Sequence, residues 1–262
     1  MRGTMSTEGI DLFSLSGRRA LVTGASGGLG AAIAVALARA GADVVVHGEV
    51  RPADCDATCA AIRATGVRTA AIAGDLSNPS MPGTLVAETV AAFGGIDILV
   101  NNAGTIRRAP AEETSDEDWD WVIAVNLGSV FRLCREAGRR MLEAGSGKII
   151  NIASLLSFQG GIRVPAYAAA KSGVAAITRA LANEWAARGV NVNAIAPGYM
   201  STANTAALRA DAVRSRQILE RIPAGRWGIP EDLAGAAVFL ASRASDYVHG
   251  HVLVVDGGWM GR

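Results

Sequence analysis

The sequence predicts an α/β fold, a mainly parallel sheet covered by helices on both faces. Three observations carry that expectation. Short apolar runs alternate with helical patterns along nearly the whole chain. A glycine-rich turn, Thr23-Gly24-Ala25-Ser26-Gly27-Gly28-Leu29-Gly30, joins the first apolar run to the first helix. No linker or low-complexity stretch divides the 262 residues, so they read as a single domain, 15–262, behind an N-terminal arm, 1–14.

Each element has its own signal. Residues 19–23 form a short apolar strand, and the helix after the glycine turn, 31–40, stops at Gly41. Residues 43–47 are the second strand, followed by a helix over about 54–65. A third strand, 69–73, ends at Gly74-Asp75-Leu76; Asn78 or Ser80 can cap the helix that runs to Phe93. The fourth strand, 96–100, ends in Asn101-Asn102-Ala103-Gly104. One long helix is expected over 116–143, with Asn126 near its middle as a capping or packing residue. The fifth strand, 148–152, leads to a helix over about 166–187, and the sixth, 190–195, ends in Pro197-Gly198. A polar, partly helical insertion follows at 199–223, then a helix at 231–242 and a last strand at 252–255.

Composition excludes several classes. A formal net charge of +1 argues against a nucleic-acid or membrane-surface binder. No apolar run reaches the roughly 20 residues of a membrane span, and the first 15 residues lack the apolar centre of a secretion signal. Cys55, Cys59 and Cys134 make neither a disulfide framework nor a zinc site, which fits a reducing cytoplasm.

The stretch 151–171 is where chemistry is expected. Tyr167 and Lys171 are four apart and share a helix face, and Ser154 lies just past a strand end, where open α/β sheets hold ligands. A lysine ammonium beside a phenol lowers its pKa, so Tyr167 can exchange a proton with a hydroxyl or carbonyl while Ser154 holds that oxygen. Alone, Tyr-x-x-x-Lys is common on amphipathic helices. The glycine turn raises its meaning, because a helix N-terminus behind close-packed glycines cradles a pyrophosphate.

Together these residues resemble the short-chain dehydrogenase/reductase family over nearly the whole chain from Leu15. Thr23-Gly24-x-x-x-Gly28-x-Gly30 is similar to its cofactor turn, Asn101-Asn102-Ala103-Gly104 to its central-strand motif, and Asn126, Ser154, Tyr167 and Lys171 to its catalytic tetrad. The resemblance implies a seven-stranded Rossmann fold and a nicotinamide cofactor. It implies that Lys171 binds the nicotinamide ribose, that Asn126 holds a water in a proton relay, and that the protein is a homotetramer. It places Gly24, Ser26, Gly28, Leu29, Gly30, Glu49, Asp75, Leu76, Asn102, Ala103, Gly104, Tyr167, Lys171, Pro197, Gly198, Met200 and Thr202 against the cofactor. Several patches, among them 101–108, 152–165, 196–205 and 221–228, are similar to members that act on sugar acids. The resemblance is weakest over 41–66.

NAD is expected over NADP. Glu49 follows Gly48, near where the family puts an acid for the adenine ribose, and Gly27 stands where NADP users carry a basic residue. Arg51 is the complication, since it could reach a 2′-phosphate. A sugar-acid substrate needs a cation for its carboxylate: Arg163 is the first expected partner and Arg107 the second, with Ser154 at the reacting oxygen and Tyr199 and Asn204 closing as a lid. No metal is required. Two rival readings remain: a 3-oxoacyl-[acyl-carrier-protein] reductase with the same tetrad, and a non-catalytic nucleotide-binding regulator.

Overall fold

A computed structural model describes residues 11–262. In chain order the elements are β1 (Arg19–Val22), α1 (Gly28–Arg39), β2 (Asp43–Gly48), α2 (Asp56–Arg63), β3 (Thr69–Ala73), α3 (Met81–Phe93), β4 (Ile98–Asn101), α4 (Asp116–Ile123), α5 (Ser129–Ala144), β5 (Gly147–Ile152), α6 (Pro165–Trp185), β6 (Val190–Pro197), α7 (Ala206–Ala210), α8 (Ala212–Arg221), α9 (Ala234–Ala241) and β7 (Val252–Val255). The strands form one sheet in the order β3-β2-β1-β4-β5-β6-β7, and every neighbouring pair is parallel. The order reverses between β1 and β4, which opens a crevice at their C-terminal ends.

Side chains of a strand alternate between the two faces of the sheet. Ala20, Val22, Val44, Val46, Ile98, Val100 and Ile150 therefore join one core, with Ile33 and Leu37 of α1, Ile62 of α2 and Leu240 of α9. Leu21, Val45, Leu99 and Ile149 face the other way, onto Leu85 of α3, Leu133 and Met141 of α5 and Val174 of α6. Leu37 is fully buried, and its truncation to Ala would cost about 2–5 kcal/mol. A guanidinium fork ties the start of β1 to the β4 side: Arg19 Nε and Nη2 donate to Asp97 at 2.7 and 2.9 Å.

The expected single helix over 116–143 is interrupted. Ser115 caps α4 by accepting from the Asp118 amide, but residues Ala124–Gly128 make a π-turn before α5. The cause is local: Asn126 Nδ2 donates to Val122 O at 2.9 Å, the carbonyl that its own amide would use in an α-helix. The insertion at 199–223 carries α7 and α8 and has a small core of its own. Ile218 of α8 and Ile222 just after it pack with Leu155 and Trp259, and Tyr199, Leu208 and Trp227 surround them. Of the N-terminal arm, residues 1–10 lie outside the described residues; at its inner end Leu12 O accepts from the Ala244 amide at 3.2 Å.

Candidate active site

The C-terminal ends of β1 and β4 are stitched together by side chains. Thr23 Oγ1 accepts from the amides of Asn102 and Ala103, and Asn102 Nδ2 donates to Thr23 O and Gly24 O, both at 2.9 Å. Gly24 has φ +60°, and a Cβ there would stand 2.8 Å from Ala103 Cα. A Cβ at Gly30 would collide with Gly24 O and Asn102 Nδ2. The two glycines thus let the turn and the start of α1 close onto β4. The first amides of α1 have no intrahelical partner and its dipole favours an anion, so the turn fits a pyrophosphate.

Above these strand ends lies a cleft of about 680 Å³, ample for a dinucleotide's reactive half and a small substrate. Ser26, Gly28, Leu29, Glu49, Asp75 and Leu76 line one end of it; Ser154, Tyr167 and Lys171 line it beyond Asn102, Ala103 and Gly104. Pro197, Gly198, Met200, Thr202 and Asn204 supply the wall from β6 and the insertion.

Ser154 follows β5 in extended conformation, and its Oγ accepts from the Leu156 amide at 3.1 Å. Ser157 braces the same turn against α6 by donating to Lys171 O at 2.7 Å. Lys171 is buried, and its ammonium donates to Ile152 O at 2.6 Å. Burial lowers its pKa to about 8. The Tyr167 phenol stands above its ordinary value because burial outweighs the hydrogen bond with Ser154 and the charge of Arg108, both of which favour the phenolate. The phenol thus stands above its ordinary value, contrary to the lowering expected from Lys171, whose Nζ is 5.6 Å from the ring centroid and gives one of its hydrogens to a backbone carbonyl.

Asn126 is fully buried in the π-turn behind Gly104 rather than on the cleft wall. Its Oδ1 accepts from the Thr105 amide at 3.2 Å and its Nδ2 donates to Thr105 O at 2.9 Å, so it fixes the loop that leaves β4.

The expected substrate residues divide. Arg107 lines the cleft with its guanidinium 4.2 Å from the Trp121 ring centroid and its Nε 3.4 Å from Asp118. Asn204 lines it too. Arg163 is exposed and lies outside the lining; it is the one non-glycine residue of positive φ, 63°, among those described, and its carbonyl accepts from the Ala109 amide. Its part is thus played by backbone, which joins the two loops at the cleft mouth. Tyr199 is also outside, packed against Trp227 and Trp259 beside a separate cavity of about 200 Å³. Two residues that sequence reasoning did not assign stand here instead. His47 and Trp121 line the cleft, and Arg108 Nη2 donates to Asn204 O at 3.3 Å, crossing from the 105–109 loop to the insertion. The paired arginines after Gly104 were a signal for Arg108; His47 at a strand end carried none.

A reversed-order parallel sheet, a glycine turn at the switch point and a Ser–Tyr–Lys group in one cleft define a dinucleotide-dependent dehydrogenase or reductase. The chain belongs to the short-chain dehydrogenase/reductase family of NAD(P)-dependent oxidoreductases. A family model described as enoyl-(acyl carrier protein) reductase matches residues 24–260. The 2-dehydro-3-deoxy-D-gluconate 5-dehydrogenase of Dickeya dadantii is 55% identical over 254 residues, 97% of this chain and 99% of that one. A solved structure from Agrobacterium tumefaciens, proposed to be a 2-deoxy-D-gluconate 3-dehydrogenase and holding NADP, superposes with TM-score 0.91 at 57% identity, covering 96% of this chain and all of the other. A gluconate 5-dehydrogenase from Burkholderia cenocepacia, in complex with NADP and tartrate, gives 0.92 at 40% identity, covering 97% and 99%.

Proposed function

We propose that the protein is a sugar-acid dehydrogenase, with 2-dehydro-3-deoxy-D-gluconate oxidised at C5, or the corresponding ketone reduced, as its reaction. The observation that carries this reading is the 55% identity to an enzyme of that name across nearly the full length of both chains, on a cleft that keeps Ser154, Tyr167 and Lys171 together.

The bound nicotinamide supplies or accepts the hydride; everything else falls to the chain. Ser154 Oγ hydrogen-bonds the reacting oxygen and stabilises its developing charge. Tyr167 takes the hydroxyl proton in oxidation and returns it to the carbonyl oxygen in reduction. Lys171 would hold the nicotinamide ribose, and Asn126 holds the 105 loop behind it. Arg108 takes the substrate carboxylate, a role expected first of Arg163, because it spans the mouth of the cleft to Asn204 O. NAD is the preferred cofactor. Glu49 lines the adenosine end, a side chain at Gly48 would press on Cys55 Sγ at 2.9 Å, and Arg51 is paired with Asp54 at 2.8 Å. The working form is a cytoplasmic homotetramer. Exposed Trp119 and Phe131, and an Arg132 Nη1 that is buried without a hydrogen-bond partner, support a further surface packing on α4 and α5.

The test is a panel of C5 and C6 sugar acids and their keto forms with NAD and NADP, followed at the nicotinamide absorbance. Turnover of 2-dehydro-3-deoxy-D-gluconate above the others supports the reading. Faster turnover of a 3-oxoacyl thioester overturns the substrate class, and a kcat/KM favouring NADP overturns the cofactor preference.

A further inference from the structure

His47 is a buried imidazole that the reaction does not use. It stands next to last in β2 at 2% exposure, lining the cleft, and each of its ring nitrogens meets a backbone group of a different strand end. Nδ1 lies 3.2 Å from the Gly24 amide, and Nε2 lies 2.9 Å from Gly74 O. An amide only donates and a carbonyl only accepts, so the two partners leave one arrangement: Nδ1 bare, Nε2 carrying the hydrogen, the ring neutral. Burial lowers its pKa in the same direction. The backbone repeats the link, since Ala25 N donates to His47 O at 2.8 Å and Gly74 N to Gly48 O at 3.0 Å.

The position of Gly24 gives this clasp its meaning. On one side its carbonyl is held by Asn102 Nδ2, on the other its amide is held by His47. Asn102 Nδ2 also donates to Thr23 O, so the Thr23–Gly24 peptide is fixed from both flanks, and the Gly24 amide is unavailable to a phosphate. The anion is left to the amides that follow, at the start of α1. The same ring holds Gly74, beside Asp75 and Leu76 at the adenosine end.

We propose that His47 is a positioning residue for the dinucleotide, a neutral imidazole that pins the start of the glycine turn and the end of β3 in the spacing the cofactor spans. The proposal rests on the reading of this cleft as the cofactor site. Preorganisation of this kind acts on binding of the cofactor and not on the proton transfer at Tyr167.

The experiment measures Kd for NADH and NADPH by fluorescence titration, with steady-state kinetics, for the parent, His47→Phe and His47→Gln. Phenylalanine fills the space and removes both hydrogen bonds; glutamine keeps one acceptor and one donor. His47→Phe is expected to raise both Kd values about tenfold, with kcat at saturating cofactor and KM for the sugar acid within about twofold. His47→Gln is expected to recover a substantial part of that loss. An unchanged Kd in His47→Phe overturns the proposal, as does an equal loss in both variants or a matching fall in kcat. If His47→Phe does not fold, His47→Leu is read by the same criteria. A parent that binds neither dinucleotide overturns the cofactor reading itself, which separates that failure from this one.

Discussion

At Tyr167 the proton balance sets the sign of the pH dependence. Oxidation needs the phenolate and reduction the neutral phenol, so oxidative kcat should climb with pH and reductive kcat should fall. Arg108 is one of the two groups that favour the phenolate. Arg108→Leu should therefore move the oxidative limb to higher pH as well as weaken sugar-acid binding, and a limb that stays in place would separate Arg108 from the phenol. A charge-assisted hydrogen bond is worth about 1.5–3 kcal/mol, so the loss in kcat/KM should be roughly 10- to 100-fold, confined to substrates with a carboxylate. Arg163→Gly should leave kcat/KM within about threefold and raise Tm, because glycine adopts a φ of 63° without strain. Tyr167→Phe should abolish turnover and leave NADH binding intact; near-normal turnover would remove the residue from the reaction. Ser154, Tyr167 and Lys171 were legible in the sequence because a strand end and one helical turn fix their mutual placement. The placement of Arg107, Arg108 and Arg163 was not: in irregular loops neighbouring side chains diverge by backbone angles that no periodicity encodes.

Among the elements, the insertion depends on the end of the chain. Trp259 Nε1 donates to Gln159 Oε1 at 3.2 Å, its ring lies 4.0 Å from the Arg221 guanidinium, and Arg262 Nη1 donates to Glu220 O at 2.7 Å. C-terminal residues thus grip α8 and the segment after Ser154 together. Trp259→Ala should loosen α8, raising KM for the sugar acid several-fold while the Kd for NADH stays within about twofold; equal effects on both would mean a general loss of packing. The sequence showed this segment only as a polar, partly helical stretch. Its core comes from Leu155, Tyr199, Trp227 and Trp259, residues far apart in the chain, and such contacts leave no local pattern. The strands were easier. Ala20–Val22 of β1 and Val44–Val46 of β2 are buried on both faces and read as continuous apolar runs, as parallel strands do.

Over the whole molecule, the seven-stranded parallel sheet expected from the family resemblance is the one observed, and the crevice opens where its order reverses between β1 and β4. Assembly is the level at which the chain alone says least. If α4 and α5 pack against further copies, light scattering should report a homotetramer, and Arg132→Glu, which would put a carboxylate into that contact, should lower the mass. A monomeric parent would overturn the assembly, leaving the cleft, which is built within one chain, as it is.

The π-turn at Ala124–Gly128 holds one residue more than regular helical winding would. Insertions and deletions therefore act here unlike anywhere else in the α4–α5 rod. Excising Leu127 would let the rod wind as an ordinary helix, with Val122 still buried and Leu133 facing the sheet much as before, so the protein should still fold. Asn126, however, would be drawn out of the bulge and turned by up to about 100°, the angle one helical residue subtends. The Thr105 loop would lose both its hydrogen bonds. A change in chain length of one residue would thus spare the architecture and release the loop that leaves β4, whereas the same excision inside β5 would invert a whole strand.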